Sequence, residues 1–390
     1  MSGERIRAVR ALTVRGGGAD YHEQAADHWI VGQIAAPMAA YPEYRATRSS
    51  WGIDALGTVV VEVEDERGRV GVGVSTGGVP AAWLVSHHLN RFVVGRDPSQ
   101  VELIWDQMYR SSLYYGRKGL AVNAISAVDL ALWDLWGRQR EEPVFHLLGG
   151  PVRRTLPCYA TGPRPDWAVA AGFIGGKLPL VHGPAEGRAG LRENLDTVAR
   201  TREQVGPDAL LMVDCWMALD LNYAEELVAG LAPLGVYWVE ECFPADDYWS
   251  YRELRRRRPL GMRVATGEHE ATRWGFRLLL EMEAADVIQP DVTWCGGLTE
   301  LTRIAALGDT WQVPVIPHGS SVYSYHFAAA RPATPFSEFL MMHPTATGIT
   351  PMFAPLLLGE PVPVDGVVTV PETSGFGVEL NRSLPLLPAP

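Results

Sequence analysis

Residues 210–242 read LLMVDCWMALDLNYAEELVAGLAPLGVYWVEEC, and this stretch decides the fold. A short apolar run, Leu210–Asp214, ends on an acid. A segment of helical period, Tyr223–Leu234, follows, and a second apolar run, Val236–Glu240, ends on another acid. Strand, amphipathic helix and strand in this order predict two parallel strands joined by a helical crossover.

Working outward, the unit recurs. Further apolar runs lie at Leu156–Ala160, Gly176–Val181, Arg263–Thr266, Asp286–Gln289, Val313–Pro317 and Phe336–Leu340, with helical segments such as Gly190–Val205 and Leu298–Leu307 between them. Eight such strands predict a TIM-like α/β barrel. No G-x-G-x-x-G follows a strand and no Walker-type loop occurs, which argues against nucleotide-binding folds. Upstream of Gly149-Gly150-Pro151 the pattern is mixed. Strands are expected at Ile6–Val14, Thr58–Glu64 and Gly68–Val74, and helices at about Pro98–Tyr115 and Val122–Arg138. The tail from about Thr350 is expected to return to this first part. The expected division is 1–150, 151–349 and 350–390.

The chain of 390 residues carries 34 basic and 45 acidic side chains, a net charge of −11, which argues against a nucleic-acid binder. The run Arg255-Arg256-Arg257-Arg258 before Pro259 reads as the solvated end of a helix. The opening MSGERIRAVRALTVRGGG holds no long apolar segment, so neither a signal peptide nor a membrane span is expected. Cys158, Cys215, Cys242 and Cys295 are far apart and read as free buried thiols of a reducing cytoplasm.

Strand C-termini face the active site of such a barrel. Here they carry Asp214, Glu240 with Glu241, Glu268 with His269, Asp291, His318 and Glu338, spaced by 20 to 28 residues. Taken singly, each acid reads more readily as a helix cap or a solvated strand end. The series at unit spacing instead converges three carboxylates, Asp214, Glu240 and Glu268. Crowded carboxylates take up protons unless a hard cation sits among them, and Mg2+ suits three oxygen ligands. Adjacent strand residues face opposite ways, so phase alone leaves Glu240 and Glu241 both open as the ligand. Asp291 one strand before His318 predicts a carboxylate that orients an imidazole base.

These residues resemble the enolase superfamily in its mandelate racemase-like branch. Motifs that carry the likeness include GGGADYH, AVDLALWDLWG, YATGPRPD, GFIGGKLP, MVDCWMALDLNYA, TGEHEATRWGF, IQPDVTWCGGLTEL, PHGSSVYSYH and PFSEFLM, spread over nearly the whole chain. Within that branch the likeness is strongest to the dehydratases of acid sugars acting on L-rhamnonate. The resemblance implies an α+β capping domain, completed by the tail, over a modified TIM barrel, (β/α)7β. It implies one Mg2+ held by Asp214, Glu240 and Glu268, with His318 as base, Asp291 behind it and Glu338 beside the substrate. From the capping domain it implies His22 and Arg48 as substrate contacts. His28 is as well explained by packing as by substrate contact. Lys177 and His269 are further candidates to line the substrate site.

In relatives with a lysine base the second barrel strand carries K-x-K, whereas here it reads Lys177-Leu178-Pro179. Proline cannot move a proton, which favours one-base elimination over two-base racemisation. Together with that preference, the resemblance implies dehydration of a six-carbon acid sugar, L-rhamnonate, to its 2-keto-3-deoxy acid. Alternatives are another acid sugar (L-lyxonate, L-mannonate), a racemase or cycloisomerase, or a non-catalytic carbohydrate-binding relative. The resemblance also implies a homo-oligomer, with an octamer as one assembly.

Overall fold

A computed structural model describes residues 4–14, 27–31, 34–45 and 55–389. Strands β1 (Ile6–Val14), β2 (Thr58–Asp65) and β3 (Val70–Thr76) form an antiparallel sheet. β-branched residues on the buried face of β2, Val59, Val61 and Val63, supply its core. The helix Leu120–Arg140 packs on β3 at very short range. A Cβ on Gly71 or Gly73 would collide with the carbonyls of Ala131 or Ala127, so glycine is what permits the approach.

That helix is apolar nearly all round because it is covered on both sides. Among the described helices it alone is long and apolar enough to cross a membrane, yet 83% of the apolar window is buried in the protein. Its Asp129 accepts from the Thr299 amide (2.9 Å) and Thr299 Oγ1 (2.5 Å), and its Trp133 Nε1–H donates to Thr299 Oγ1 (2.9 Å). Thr299 sits on the helix Gly297–Trp311, so cap and barrel share these bonds.

The second sheet is parallel and curls through β4 (Thr155–Thr161), β5 (Gly175–Pro179), β6 (Leu210–Asp214), β7 (Trp238–Glu240), β8 (Arg263–Thr266) and β9 (Val287–Ile288). β10 (Ser337–Leu340) pairs with β4 and turns the sheet back on its start. The strand expected at Val313–Pro317 is reduced to an isolated bridge, Ile288↔Val315, with a second bridge, Asp291↔His318, just beyond it. Pro314 and Pro317 lack the amide hydrogens that a full ladder needs. The tail pairs twice. β11 (Val367–Thr369) adds antiparallel to β4, and β12 (Leu386–Pro388) adds to β1. All four cysteines are free and buried, and burial pushes the Cys158 thiol up to about 12. Arg255 and Arg258 are not merely solvated: both pair with Asp286 at 2.8 Å.

His326, fully buried on the helix Val322–Ala329, ties the tail to the barrel. Its Nδ1 accepts from the Phe145 amide (3.2 Å), so Nε2 carries the proton and donates to the Phe376 carbonyl (3.2 Å). Burial, opposed by that carbonyl, lowers its pKa to about 3. A histidine depressed on folding contributes stability that is complete above its unfolded pKa of about 6.5 and is lost as pH falls towards the folded value. Between pH 7 and pH 5 the protein should therefore lose about 2 kcal/mol more than a His326→Gln variant. Parallel losses in urea titrations of the two proteins would refute this.

Candidate active site

The parallel register places the chemistry at one end of the curled sheet. Asp214 pairs with Glu240 across β6 and β7, and Glu240 pairs with Ala265 on β8. Glu268 follows β8 after Gly267, whose φ of 128° makes the turn. One ligand oxygen from each of Asp214, Glu240 and Glu268 lies within 4.8 Å of the others.

Backbone geometry separates the glutamate pair. Glu241 has a left-handed φ of 47° and turns out of the cluster. It accepts instead from Thr266 Oγ1 (2.5 Å), the Gly267 amide (2.9 Å) and His269 Nδ1 (3.0 Å). Despite burial, these donors and the charge of His269 hold its pKa below the usual carboxylate value. Glu240 stays inside, with Oε2 accepting from Trp238 Nε1 (2.9 Å) and Gln289 Nε2 (2.7 Å). Burial and the neighbouring carboxylates raise it to about 8, against the pull of Lys177.

The donor set fits a hard divalent cation. All three side chains offer carboxylate oxygens, and Glu268 Oε2 is buried without a hydrogen-bond partner. Burial and the charges of Glu241 and Asp214 raise the Glu268 pKa, although His318 and His269 oppose them. Raised, clustered carboxylates are what a bound cation relieves.

Lys177 is wholly buried in the middle of this cluster. Its Nζ bonds Glu240 Oε1 and stands 3.1 Å from Glu338 Oε1 and 3.4 Å from Asp214 Oδ2. Burial opposes its charge, yet these carboxylates keep its pKa well above the ordinary value. Glu338 also accepts from Thr161 Oγ1 (2.5 Å) and the Gly319 amide (2.7 Å). Burial is outweighed there by Lys177 and His318, which bring Glu338 down to about 2. With Lys177, Thr161 and the Gly319 amide all donating to it, Glu338 is placed as an acceptor.

His318 Nδ1 meets Asp291 Oδ2 at 2.8 Å, and Nε2 faces the cluster 3.4 Å from Glu268 Oε2. Asp291 Oδ1 is fixed by the amide and the hydroxyl of Thr293, both at 2.6 Å. Burial lowers the histidine, but Glu268, Glu338 and Asp291 together raise its pKa well above 6.5. The ring of Trp294 stands between His318 (5.5 Å) and His269 (5.6 Å), and its Nε1–H donates to Thr76 Oγ1 of β3 at 3.0 Å.

The structure thus gathers Asp214, Glu240, Glu268, Lys177, Asp291, His318 and Glu338, with His269 at the edge. His28 is not among them. It is buried, accepts from the Ile30 amide at Nδ1 (3.2 Å) and donates from Nε2 to the Met342 carbonyl (3.1 Å), which is a packing role. His22 and Arg48 lie outside the described residues. Trp238, Gln289, Thr161 and Trp294 were not singled out from the sequence. Only Trp238 carries a readable signal, because it lies two residues before Glu240 and so shares its face of β7.

Residues 166–384 match the enolase C-terminal domain-like family, and residues 47–149 match the mandelate racemase / muconate lactonizing enzyme N-terminal domain. L-rhamnonate dehydratase of Saccharopolyspora erythraea is 62% identical over 382 residues, covering 98% of each chain. The crystal structure of rhamnonate dehydratase from Gibberella zeae complexed with Mg superposes with a TM-score of 0.97 at 43% identity, covering 100% of this chain and 97% of that one. A racemase from Streptomyces coelicolor with bound magnesium is more distant, with a TM-score of 0.79 at 27% identity over 97% of this chain and 98% of that one.

Proposed function

The chain belongs to the mandelate racemase / muconate lactonizing enzyme family of the enolase superfamily, and on that premise we propose a role for each residue of its site. The reaction is the Mg2+-dependent dehydration of an acid sugar, L-rhamnonate, to its 2-keto-3-deoxy acid and water. Asp214, Glu240 and Glu268 hold the metal. When bound, Mg2+ supplies positive charge against the substrate carboxylate as the C2 proton leaves.

The remaining steps fall to the side chains. His318 takes the C2 proton at Nε2. Asp291 keeps the Nδ1 proton in place and stabilises the imidazolium that forms. The same imidazolium then gives its proton to the departing 3-hydroxyl, and the resulting enol ketonises. Lys177 directs an ammonium toward the substrate carboxylate and holds Glu338, whose ionised oxygens orient substrate hydroxyls. His269, against Glu241 and Glu268, lines the same end. His22 and Arg48 complete the substrate contacts from the cap.

The observation that carries this reading is the His318–Asp291 pair, with its free nitrogen turned to three converged carboxylates. The second strand supports elimination over racemisation, since Lys177 is committed to carboxylates and Pro179 follows it. The pairing of β12 with β1 supports the division into a cap (1–150), a barrel (151–349) and a returning segment (350–390). Homo-oligomeric assembly and a cytoplasmic location belong to the same proposal.

The test is a panel of acid sugars incubated with the enzyme, scored for 2-keto acid, with Mg2+ and after chelation. L-rhamnonate should be converted, chelation should stop conversion, and added Mg2+ should restore it. Equal conversion in the presence of chelator would sink the metal assignment. No conversion of any acid sugar would sink the reaction.

A further inference from the structure

Three acceptors surround one cation where the cap meets the barrel. Lys118 lies in the loop between the helices Val101–Ser112 and Leu120–Arg140. Its Nζ donates to Asp246 Oδ1 (2.6 Å), the Tyr248 hydroxyl (2.8 Å) and Glu270 Oε2 (2.9 Å). An ammonium carries three hydrogens, so each has its acceptor. The Tyr248 hydroxyl, accepting from Lys118, gives its own hydrogen to Glu270 Oε2. Asp246 and Tyr248 follow β7, and Glu270 follows β8. One cap side chain therefore ties together two successive segments of the barrel rim.

Two features separate this knot from an ordinary surface ion pair. First, its central acceptor is buried: the Glu270 side chain is 1% exposed, against 38% for Lys118. A Cβ on Gly275 would stand 2.0 Å from Glu270 Oε1, so the helix Thr272–Glu281 leaves a notch that the carboxylate fills. A carboxylate buried in this way is costly to keep without its cation. Second, Glu270 closes the turn that carries the chemistry. Its amide donates to the Gly267 carbonyl (3.2 Å), and its Oε1 accepts from the Ala271 amide (2.7 Å). Glu241 fixes the start of the same turn through Gly267 and His269. The turn bearing Glu268 and His269 is thus held by a carboxylate at each end, and the second of these is tied to the cap.

The spacing between cap and turn matters because a chamber of about 430 Å3 lies between them. Gly119, Leu120 and Asn123 line it from the cap, next to Lys118 in sequence, and His269 and Glu270 line it from the barrel. We propose that Lys118 is a positioning residue for the reaction. By clamping Glu270 and Tyr248 it sets the cap wall against the Glu268–His269 turn, and so governs capture of the substrate while touching neither substrate nor metal. The inference rests on the dehydratase reading above.

The test separates KM from kcat for L-rhamnonate in the Mg2+-saturated enzyme. Lys118→Met keeps most of the stem and removes the charge. Its KM should rise about 10- to 100-fold, the scale of a small displacement remote from the reacting atoms, with kcat held within about threefold. Mg2+ affinity measured by calorimetry without substrate should also stay within about threefold, because the ligands all belong to the barrel and Glu241 still holds the start of the turn. Tyr248→Phe removes only the bridging hydroxyl and should raise KM by about 3- to 10-fold. It decides the question alone if Lys118→Met does not fold. Parental KM in the folded variants, whatever their melting temperatures, would overturn the inference and leave the dehydratase reading intact. A loss of kcat or of Mg2+ affinity larger than the change in KM would do the same. Failure of the parent to convert L-rhamnonate would remove the dehydratase reading and this inference with it.

Discussion

In a His318→Asn variant, dehydration of L-rhamnonate should fall by about 100- to 10,000-fold, the range that a positioned acid–base group supplies. Asparagine is the informative substitute. Its amide can still donate to Asp291 Oδ2, which lies 2.8 Å from His318 Nδ1 in the parent, so the loop after β9 keeps its anchor. What is lost is a nitrogen facing the cluster that can accept the C2 proton and return it to the 3-hydroxyl. Circular dichroism, melting temperature and Mg2+ affinity should stay near parental values. Turnover at the parental rate would show that the base lies elsewhere. Asp291→Asn should give a smaller loss and move the acid limb of the pH–rate profile downward. Asp291 is one of the carboxylates that raise His318, so its removal lets the base deprotonate at lower pH.

A Glu240→Gln variant should lose Mg2+ affinity by about 10- to 1,000-fold, and activity with it, whereas Glu241→Gln should retain most of the affinity. The two residues are adjacent in sequence and chemically identical, so the contrast isolates position. Glu240 shares the cluster with Asp214 and Glu268, and loss of its charge removes one of three anionic oxygens. Glu241 supports His269, Thr266 and Gly267, so its variant should instead loosen the turn that carries Glu268. Calorimetric titration with Mg2+ reads both. A larger loss in Glu241→Gln than in Glu240→Gln would exchange the assignments.

Much of the site was open to reading before any fold was seen. The acids at Asp214, Glu240 and Glu268 recur at the length of one strand–helix unit, and parallel crossovers must bring such positions to one rim. Asp291 and His318 follow by the same rule, and an isolated bridge between them places the pair side by side. The apolar run Val313–Pro317 forms a bridge and not a full strand, because its two prolines bring no amide hydrogens to a ladder.

Other features could not be read because they depend on packing between distant segments. The choice between Glu240 and Glu241 turns on a φ of 47° at the end of β7, which residue type does not dictate. Lys177, read from the sequence only as a candidate to line the site, is the cation around which Asp214, Glu240 and Glu338 close. Trp294 gains its place between two imidazoles only when Thr76 of the cap receives its indole hydrogen. The sequence by itself determined which residues reach the rim of the barrel, since strand and helix lengths are local and repeat along the chain. Only the tertiary structure decided which of them face inward and what they touch, since twist, left-handed turns and cap contacts are set by groups up to hundreds of residues apart.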